Sequence, residues 1–385
     1  MSHTVEAILG GALGSLALFG IIMLLLWFFL FKQRCVSMTL ENGLSIPSQV
    51  EPVGRIGLLL PETRRFKIEE LSLATQNFNM KNLIGEGKLG KVYKGLLQDG
   101  VPVAIKKRHR IPSQEFIDEV RYLSSIQHQN LVTLLGYCQE NNLQFIVYEY
   151  VTNGCVFTHF YGAGEKTHEK IEFKHLLKIS LGAAKGLAHL HSLSPCLLHK
   201  NFKTTNVLVD ENFIAKVADA GIHNFLGKFE IAGSSSHVAS EQIFLAPEVR
   251  KSRRFSEKSD VYSYGIFLLE LLSGKKASKS LFLGSNQNLV EWVQSIEHFH
   301  TMFNIIDQRL GSSFTFEGMV DFILLVVRCL YPLIYTRPTM SYVVMELDRI
   351  LEKEINVTKI MDEGTLTVIL GSQLFKETTN KISSP

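Results

Sequence analysis

The sequence predicts an α+β domain that follows one strongly apolar helix. Strand-like alternation is concentrated around residues 83–106 and 144–151, whereas residues 115–126 and 175–191 carry apolar side chains at helical spacing. A third observation predicts the preceding helix, because residues 7–31 contain no charged side chain. At 385 residues, the chain has room for one large domain or two ordinary ones, with appendages.

The apolar segment of residues 7–31 is long enough to cross a hydrocarbon core of about 30 Å. A cleaved signal peptide is the alternative, but the apolar run is too long, no Lys or Arg precedes it and no small-x-small cleavage site follows it. Lys32 and Arg34 come directly after it, so the positive-inside rule places residues 1–6 outside and the rest of the chain in the cytoplasm. We therefore expect a single-pass protein of the plasma membrane.

Composition excludes several other classes of function. The net charge is only +3 and no basic run alternates with aromatic residues, so nothing favours a nucleic-acid partner. The five cysteines are scattered, without a Cys-x-x-Cys pair, which is typical of a reducing compartment rather than of disulfides or zinc. Palmitoylation of Cys35 and helix pairing through Gly10 and Gly14 stay open.

The segments on either side of the domain read as connections. Residues 32–65 have mixed polarity, three prolines and no steady period, which predicts an irregular juxtamembrane linker. Residues 66–78 set apolar side chains at helical spacing and predict a short helix leading into the domain. Periodicity stops near Glu352, so residues 353–385 are expected to form a flexible tail.

A glycine-rich pattern begins the domain. Residues 83–95 contain Gly-x-Gly-x-x-Gly-x-Val at Gly85, Gly87, Gly90 and Val92. Such a pattern alone is weak, but alternation on both sides of it predicts two strands joined by a tight hairpin, unlike the strand-to-helix setting of a dinucleotide site. Glycines let the backbone approach phosphates closely. The strand Val-Pro-Val-Ala-Ile-Lys then ends at Lys106.

Residues 197–221 carry the most specific motif. They read His199-Lys-Asn201, four residues, Asn206, and then Asp219-Ala-Gly. With the glycine pattern and the strand lysine in this order, residues 66–351 resemble the cytoplasmic domain of plant receptor-like serine/threonine protein kinases, a family related to interleukin-receptor-associated kinases. The resemblance implies a bilobal protein kinase fold, with a small β-rich N-lobe at residues 66–151 and a large helical C-lobe at residues 152–352.

The resemblance also implies a MgATP site. Lys106 would pair with the α- and β-phosphates of the nucleotide and with the Glu119 carboxylate. Asn206 and Asp219 would hold Mg²⁺, and Lys203 would touch the γ-phosphate. Tyr148 would occupy the gatekeeper position before the hinge that binds the adenine edge. The positions implied to contact the nucleotide or its metal are Ile84, Gly85, Gly87, Gly90, Val92, Ala104, Lys106, Glu119, Glu149, Val151, Asn206, Leu208 and Asp219.

Three departures from the family pattern affect catalysis. Asn201 stands where the family has its catalytic Asp, and an amide oxygen is very weakly basic. A general base contributes about 10²–10⁴-fold, whereas phosphoryl transfer depends mainly on positioning and charge stabilisation. Lys200 replaces an Arg and cannot form a bidentate pair. Ala220 replaces a Phe, which would leave a void costing about 3–5 kcal/mol unless a neighbour fills it.

The activation segment ends in Ala-Pro-Glu248, but Glu241 stands where the family has a Thr. A carboxylate there could pair with Lys203 and occlude the substrate hydroxyl. Phosphorylation in this segment stays open; its candidates are Ser234, Ser235, Ser236 and Ser240. Further on, the resemblance implies that Asp260 bonds to the backbone of the catalytic loop and that Arg337 pairs with Glu248.

Three hypotheses follow for the function. In the first, the chain is a membrane-anchored pseudokinase that binds MgATP, is catalytically weak or inactive, and acts as a scaffold or allosteric partner of other kinases and receptors in the membrane. In the second, it is an active kinase that transfers the γ-phosphate of ATP to Ser or Thr of a protein substrate. In the third, it is an interaction module that binds no nucleotide.

Overall fold

The computed structural model describes residues 63–87, 90–161, 172–222, 242–277, 290, 293, 304–311 and 313–362. The predicted membrane helix at residues 7–31, the linker up to residue 62, Glu241 and the four candidate phosphorylation sites lie outside the described residues. Within these ranges, no helix is both long enough and apolar enough to cross a membrane.

The N-lobe is built on a six-stranded sheet with the strand order β1-β5-β6-β4-β3-β2. All neighbouring strands are antiparallel except β1 and β5, which are parallel. The strands are Arg64–Arg65 (β1), Leu83–Gly87 (β2), Gly90–Leu96 (β3), Pro102–His109 (β4), Leu134–Glu140 (β5) and Leu143–Glu149 (β6). The positions of β2, β3, β4 and β6 agree with the predicted hairpin and strands, whereas β1 and β5 were not predicted.

The helices and one further sheet complete the two lobes. Val207–Val209 (β7) pairs with Ala215–Val217 (β8) in an antiparallel ribbon that carries the catalytic loop on its N-terminal side. The helices are Ile68–Ala74 (α1), Gln114–Ser124 (α2), Val156–Tyr161 (α3), Phe173–Ser192 (α4), Pro247–Ser252 (α5), Glu257–Ser273 (α6), Phe316–Cys329 (α7) and Met340–Asp362 (α8).

Local chemistry explains where the main helices begin and what they bury. The Ser113 hydroxyl accepts from Phe116 N and caps α2, whose buried face includes Phe116, Val120 and Leu123. Helix α6 begins at a capping box formed by Ser256 and Ser259, and every residue from Ser259 to Ser273 is buried. Helix α6 is therefore the central element of the C-lobe.

The start of the domain differs from the sequence prediction. Arg64 and Arg65 belong to strand β1 of the N-lobe sheet, not to an irregular linker. Phe66 N donates to Tyr137 O at 2.8 Å, and helix α1 follows. Phe66 and Leu71 are buried in a cluster with the β4, β5 and β6 side chains of Val103, Ile105, Cys138, Phe145 and Val147. The two-residue strand was missed because it is too short to show a period.

The end of the domain also differs. Helix α8 continues to Asp362, ten residues past the end that the periodicity at Glu352 predicts. Glu354 is only 5% exposed and accepts from Thr315 N at 3.1 Å and from the Thr315 hydroxyl. A charged residue on the buried face hides the apolar period, which explains the error. Burial raises the pKa of the Glu354 carboxyl above its usual value.

We predict that Gly136→Ala lowers the free energy of unfolding by about 1–3 kcal/mol, the usual cost of overpacking. A Cβ at Gly136 would lie 2.1 Å from Arg64 O and 2.7 Å from a ring carbon of Phe66, so β1 would have to move. Urea unfolding of the compact unit of residues 60–385 measures the change. Gly87→Ala is the matched control, since nothing lies within 4 Å of its Cβ. Equal midpoints for the two variants would show that β1 does not contribute to the fold.

Candidate active site

The catalytic loop, residues 197–206, is held by one buried carboxylate. Asp260, in the first turn of α6, accepts from His199 N at 2.8 Å and from Lys200 N at 2.9 Å. His191 Nε2 lies 3.1 Å from the same side chain, which is 1% exposed. Lys200 has a φ of +64°, a strained value for a residue with a side chain, and the Asp260 bond helps to hold it. The implied contact between Asp260 and the loop backbone is confirmed.

His199 acts as a packed, neutral spacer inside this loop. It is fully buried, and burial lowers the pKa of its imidazole below the usual value. Its Nδ1 accepts from Asn201 N at 3.3 Å, and its Nε2 donates to Ala218 O at 3.0 Å. These two contacts fix one neutral tautomer. They also tie the position of Asn201 to the residue before Asp219.

Asn206 connects the two halves of the motif. Its Nδ2 donates to Asn201 O at 2.9 Å, and its own carbonyl accepts from Ala218 N at 2.8 Å. Because the amide nitrogen is already engaged, Asn206 Oδ1 is the atom left to face a cation. The structure thus brings Asn201, Asn206 and the segment before Asp219 together. Lys203 lies half-buried in the same loop.

The strand lysine is engaged by the second acidic position of the motif. Lys106 Nζ lies 2.7 Å from both Oδ atoms of Asp219, and the two side chains are 7% and 18% exposed. The bidentate contact of the Lys106 ammonium with Asp219 was not predicted, and the ion pair with Glu119 that the resemblance implies stays a prediction. Glu119 lies half-buried on α2.

The strand register places the other N-lobe positions around Lys106. Val92 is the cross-strand neighbour of Lys106, and Ala104 is the neighbour of Tyr148. Gly85 lies opposite Val92, whose Cβ would be 3.8 Å from a Cβ at that glycine. Ile84 is 49% exposed on β2. The tip of the glycine hairpin, residues 88–89, lies outside the described ranges.

Gly90 is the glycine in this hairpin that the backbone requires. Its φ is +115°, and a Cβ there would lie 2.1 Å from Lys107 O. Gly87 has no such constraint, since nothing lies within 4 Å of its Cβ position. The close approach of β3 to β4 therefore explains why position 90 is a glycine. Packing does not explain the glycine at position 87.

The end of β6 combines a buried phenol with a polar bridge. Tyr148 is 8% exposed, its hydroxyl has no hydrogen-bond partner among the described residues, and burial raises its pKa well above the usual value. Glu149 accepts from Thr133 N at 2.8 Å and from Lys216 Nζ on β8 at 2.9 Å. The Glu149 side chain therefore joins the two lobes. Val151 is buried and Leu208 half-buried next to this connection.

Two leucine side chains close over Gly221, the residue after Ala220. Ala220 is half-buried against the C-lobe core. A Cβ at Gly221 would lie 2.7 Å from Leu123 Cδ2 and 3.0 Å from Leu197 Cδ2. Leu123 of α2 and Leu197 of the catalytic loop are both buried. The segment that follows Ala220 is therefore closely packed against α2 and the catalytic loop.

Two further contacts support the site from the C-lobe. Arg337 forms a bidentate pair with Glu248 at 2.7 and 2.9 Å, as the resemblance implies. Glu270 of α6 accepts from the Thr204 hydroxyl in the catalytic loop and from Ala277 N at 2.9 Å. Sequence analysis missed Glu270, although a single acidic residue inside the apolar run Phe-Leu-Leu-Glu-Leu-Leu is a signal of a buried polar contact.

Comparison with known proteins agrees with this architecture. A profile described as protein tyrosine and serine/threonine kinase matches residues 78–347. The probable serine/threonine-protein kinase PBL10 of Arabidopsis thaliana is 35% identical over 328 residues, 80% of this chain and 78% of PBL10. The nodulation receptor kinase of Pisum sativum is 36% identical over 77% of this chain, which corresponds to 32% of that receptor.

A solved structure is similar as well. The pseudokinase domain of BIR2, described as an immune regulator of the RLK/Pelle family, superposes with a TM-score of 0.62 at 29% identity, covering 80% of this chain and 92% of that domain. The chain therefore belongs to the protein kinases, with a β-sheet N-lobe and a helical C-lobe. Within them, it belongs to the plant receptor-like serine/threonine kinases, which confirms the predicted family.

Members of this family normally use ATP and Mg²⁺, and the residues present fit that metal. Asn206 Oδ1 and the Asp219 carboxylate are hard oxygen donors of the kind that Mg²⁺ prefers. They lie in consecutive segments joined by the bond between Ala218 N and Asn206 O. When bound, the metal would neutralise charge on the phosphate oxygens.

We predict that Lys106 and Asp219 are coupled by about 0.5–3 kcal/mol in a double-mutant cycle of unfolding free energies. Lys106→Met, Asp219→Asn and the double variant complete the cycle. The coupling should be large because the pair is shielded from water. The exposed pair of Lys174 and Glu172, at 2.8 Å with side chains 39% and 49% exposed, is the control and should give less than about 1 kcal/mol. Equal couplings would contradict the prediction.

We also predict a pH-dependent difference between the wild type and Glu270→Gln. Burial raises the pKa of Glu270, so the folded state favours the protonated carboxyl. The wild type therefore loses stability as the pH rises from the unfolded-state pKa, near 4.5, through the folded-state pKa. As the pH rises across this range, the free energy of unfolding of the wild type should fall relative to that of Glu270→Gln. Above the folded-state pKa, the two curves of free energy against pH should run parallel. A constant difference would contradict a raised pKa.

Proposed function

We propose that this chain is a membrane-anchored receptor-like kinase domain that binds MgATP and is catalytically weak or inactive. It would act in signalling as a scaffold or allosteric partner of active kinases and receptors. Asn201 carries this proposal. Its side chain is an amide at the family position of the base. Its backbone N donates to His199 Nδ1 and its backbone O accepts from Asn206 Nδ2, which hold the residue in the catalytic loop.

Several observations support nucleotide binding. Lys106, Asn206 and Asp219 are the three side chains that a kinase uses for phosphates and metal, and contacts within the described residues connect their segments. We assign Lys203 to the γ-phosphate. We assign Ile84, Gly85, Gly87, Gly90, Val92, Ala104, Glu149, Val151 and Leu208 to the nucleotide pocket and Glu119 to the regulatory helix beside it.

Weak transfer has independent support. An amide cannot accept the proton of a substrate hydroxyl effectively, and a base is worth about 10²–10⁴-fold in rate. The bidentate contact of Lys106 with Asp219 engages the two side chains that would serve phosphate and metal, and MgATP would compete with it. The similarity to a pseudokinase domain agrees with an inactive function, although the PBL relatives are described as probable kinases.

The anchor and its consequences are also proposals. Residues 7–31 would span the plasma membrane and place the kinase domain in the cytoplasm. Partners in the same membrane are then the most accessible ones, because two-dimensional confinement raises effective concentration. Pairing of Glu241 with Lys203 would add a second obstacle to transfer.

The second candidate function is slow serine/threonine phosphotransfer. The observation that favours it is the presence of Lys203, Asn206 and Asp219 at the family positions. Positioning and metal charge supply most of the catalysis in this reaction, so loss of the base lowers the rate without abolishing it in principle.

We predict that MgATP stabilises residues 60–385 by about 2.7 kcal/mol at a hundredfold excess over Kd, and that Lys106→Met removes this stabilisation. Asn201→Asp should raise phosphotransfer to a protein substrate by about 10²–10⁴-fold. Thermal unfolding with and without MgATP and transfer of labelled phosphate check the two parts. Asn212→Asp is the control for adding a carboxylate outside the loop.

The outcomes separate the hypotheses. Nucleotide binding with transfer only by Asn201→Asp supports the pseudokinase. Clear transfer by the wild type, abolished by Lys106→Met, would make the chain an active kinase instead. If MgATP changed no unfolding temperature, the chain would be an interaction module without a nucleotide.

A further inference from the structure

The loop between α7 and α8 exposes large apolar side chains. Tyr331, Leu333 and Tyr335 are 43%, 70% and 93% exposed, within five residues of one another. We call residues 331–335 the apolar loop. Such a concentration of exposed apolar area is unusual on a soluble surface and marks an interaction site.

The protein holds the apolar loop in place from beneath. Arg337, which is 1% exposed, donates from Nε to Tyr331 O at 2.8 Å and from Nη2 to Pro332 O at 3.2 Å. The Thr336 hydroxyl donates to Leu333 O at 2.7 Å. The backbone of the loop is thus fixed while its side chains point away from the core, so the exposed side chains protrude and do not line a pocket.

The same guanidinium connects the loop to a group of cations. Arg337 pairs with Glu248 on α5. Residues 250–254, which we call the basic segment, begin two positions after Glu248. Its four cationic side chains are exposed and form no ion pair with any described residue; they are Arg250, Lys251, Arg253 and Arg254. The exposed carboxylate of Glu257 follows them along the chain. A positive surface therefore adjoins the apolar loop.

We propose that the apolar loop and the basic segment together bind the surface of an anionic lipid bilayer. Tyrosine and leucine side chains that protrude can enter the interface of a bilayer, where aromatic residues are enriched. Each cation near an anionic membrane strengthens binding about fivefold. An acidic or phosphorylated peptide would need a groove or pocket for its side chains. These residues protrude and form neither, which favours a bilayer over a peptide.

The chain itself favours this occupant, and here the inference rests on the proposed anchor. If residues 7–31 span the membrane, residues 32–62 could reach at most about 110 Å when extended. The domain would thus stay within reach of the bilayer, and even weak contacts would be populated. Docking would set which face of the C-lobe points to the cytoplasm.

The test uses the full chain reconstituted into vesicles of phosphatidylcholine, alone or mixed with phosphatidylserine. Hydrogen–deuterium exchange of residues 331–336 and 250–254 reports contact with the bilayer. We expect slower exchange only with phosphatidylserine, reversed by high salt, because screening weakens the attraction. Replacing all four cations by Gln, or Leu333 and Tyr335 by Ser, should abolish the protection. Lys81→Gln with Lys178→Gln, and Ile111→Ser, change equally exposed residues elsewhere and should retain it.

Each other outcome is decisive. Equal exchange in both lipids would overturn the proposal, as would protection by an acidic or phosphorylated peptide without any effect of phosphatidylserine. Protection in detergent that grows with protein concentration would indicate contact between copies of the chain and also overturn it. Alkaline extraction of the vesicles tests the anchor separately. If the chain were extracted, adding the same vesicles to it would still decide whether the surface binds anionic lipid.

Discussion

The geometry of the site depends on the Asp260 carboxylate. It satisfies two backbone N–H groups of the catalytic loop that would otherwise lack partners, and each such loss costs about 1–3 kcal/mol. Its place in the first turn of a buried helix is electrostatically favourable for a negative charge. Glu270, farther along the same helix, holds Thr204. One helix therefore fixes the loop at two points, independently of the residue that occupies the position of the base.

This independence explains how an amide can stand at position 201 without disturbing its surroundings. The contacts of Asn201 described above are made by its backbone, through His199 and Asn206. Nothing in them requires a carboxylate. The parts that would hold nucleotide and metal are likewise carried by other elements, β4 for Lys106 and the segment after β8 for Asp219. Binding and proton removal are thus separable properties in this fold.

Two kinds of feature could be predicted from the sequence: long-range contacts implied by a family motif, and helices whose apolar residues repeat regularly over many positions. The pair of Arg337 with Glu248 and helix α4 are examples. Prediction from the sequence failed where a contact between distant residues leaves no local pattern in the sequence. Strand β1 has two residues, and its pairing depends on a glycine more than seventy positions away. The bidentate contact of Lys106 with Asp219 likewise has no local signal, since 113 positions separate the two residues.

Helix α2 also contacts the segment that carries Asp219. Leu123 of α2 packs against Gly221, two residues beyond Asp219, in the region where the family has a Phe ring. Asp219 itself has a φ of +60°, so its segment is already strained and depends on neighbours to hold it. A nucleotide that drew Lys106 away from Asp219 would have to replace a shielded ion pair. Replacing the Lys106–Asp219 pair by contacts with a nucleotide would have a free-energy cost. Because Leu123 of α2 packs against Gly221, that cost and this contact together would set how strongly nucleotide binding moves α2.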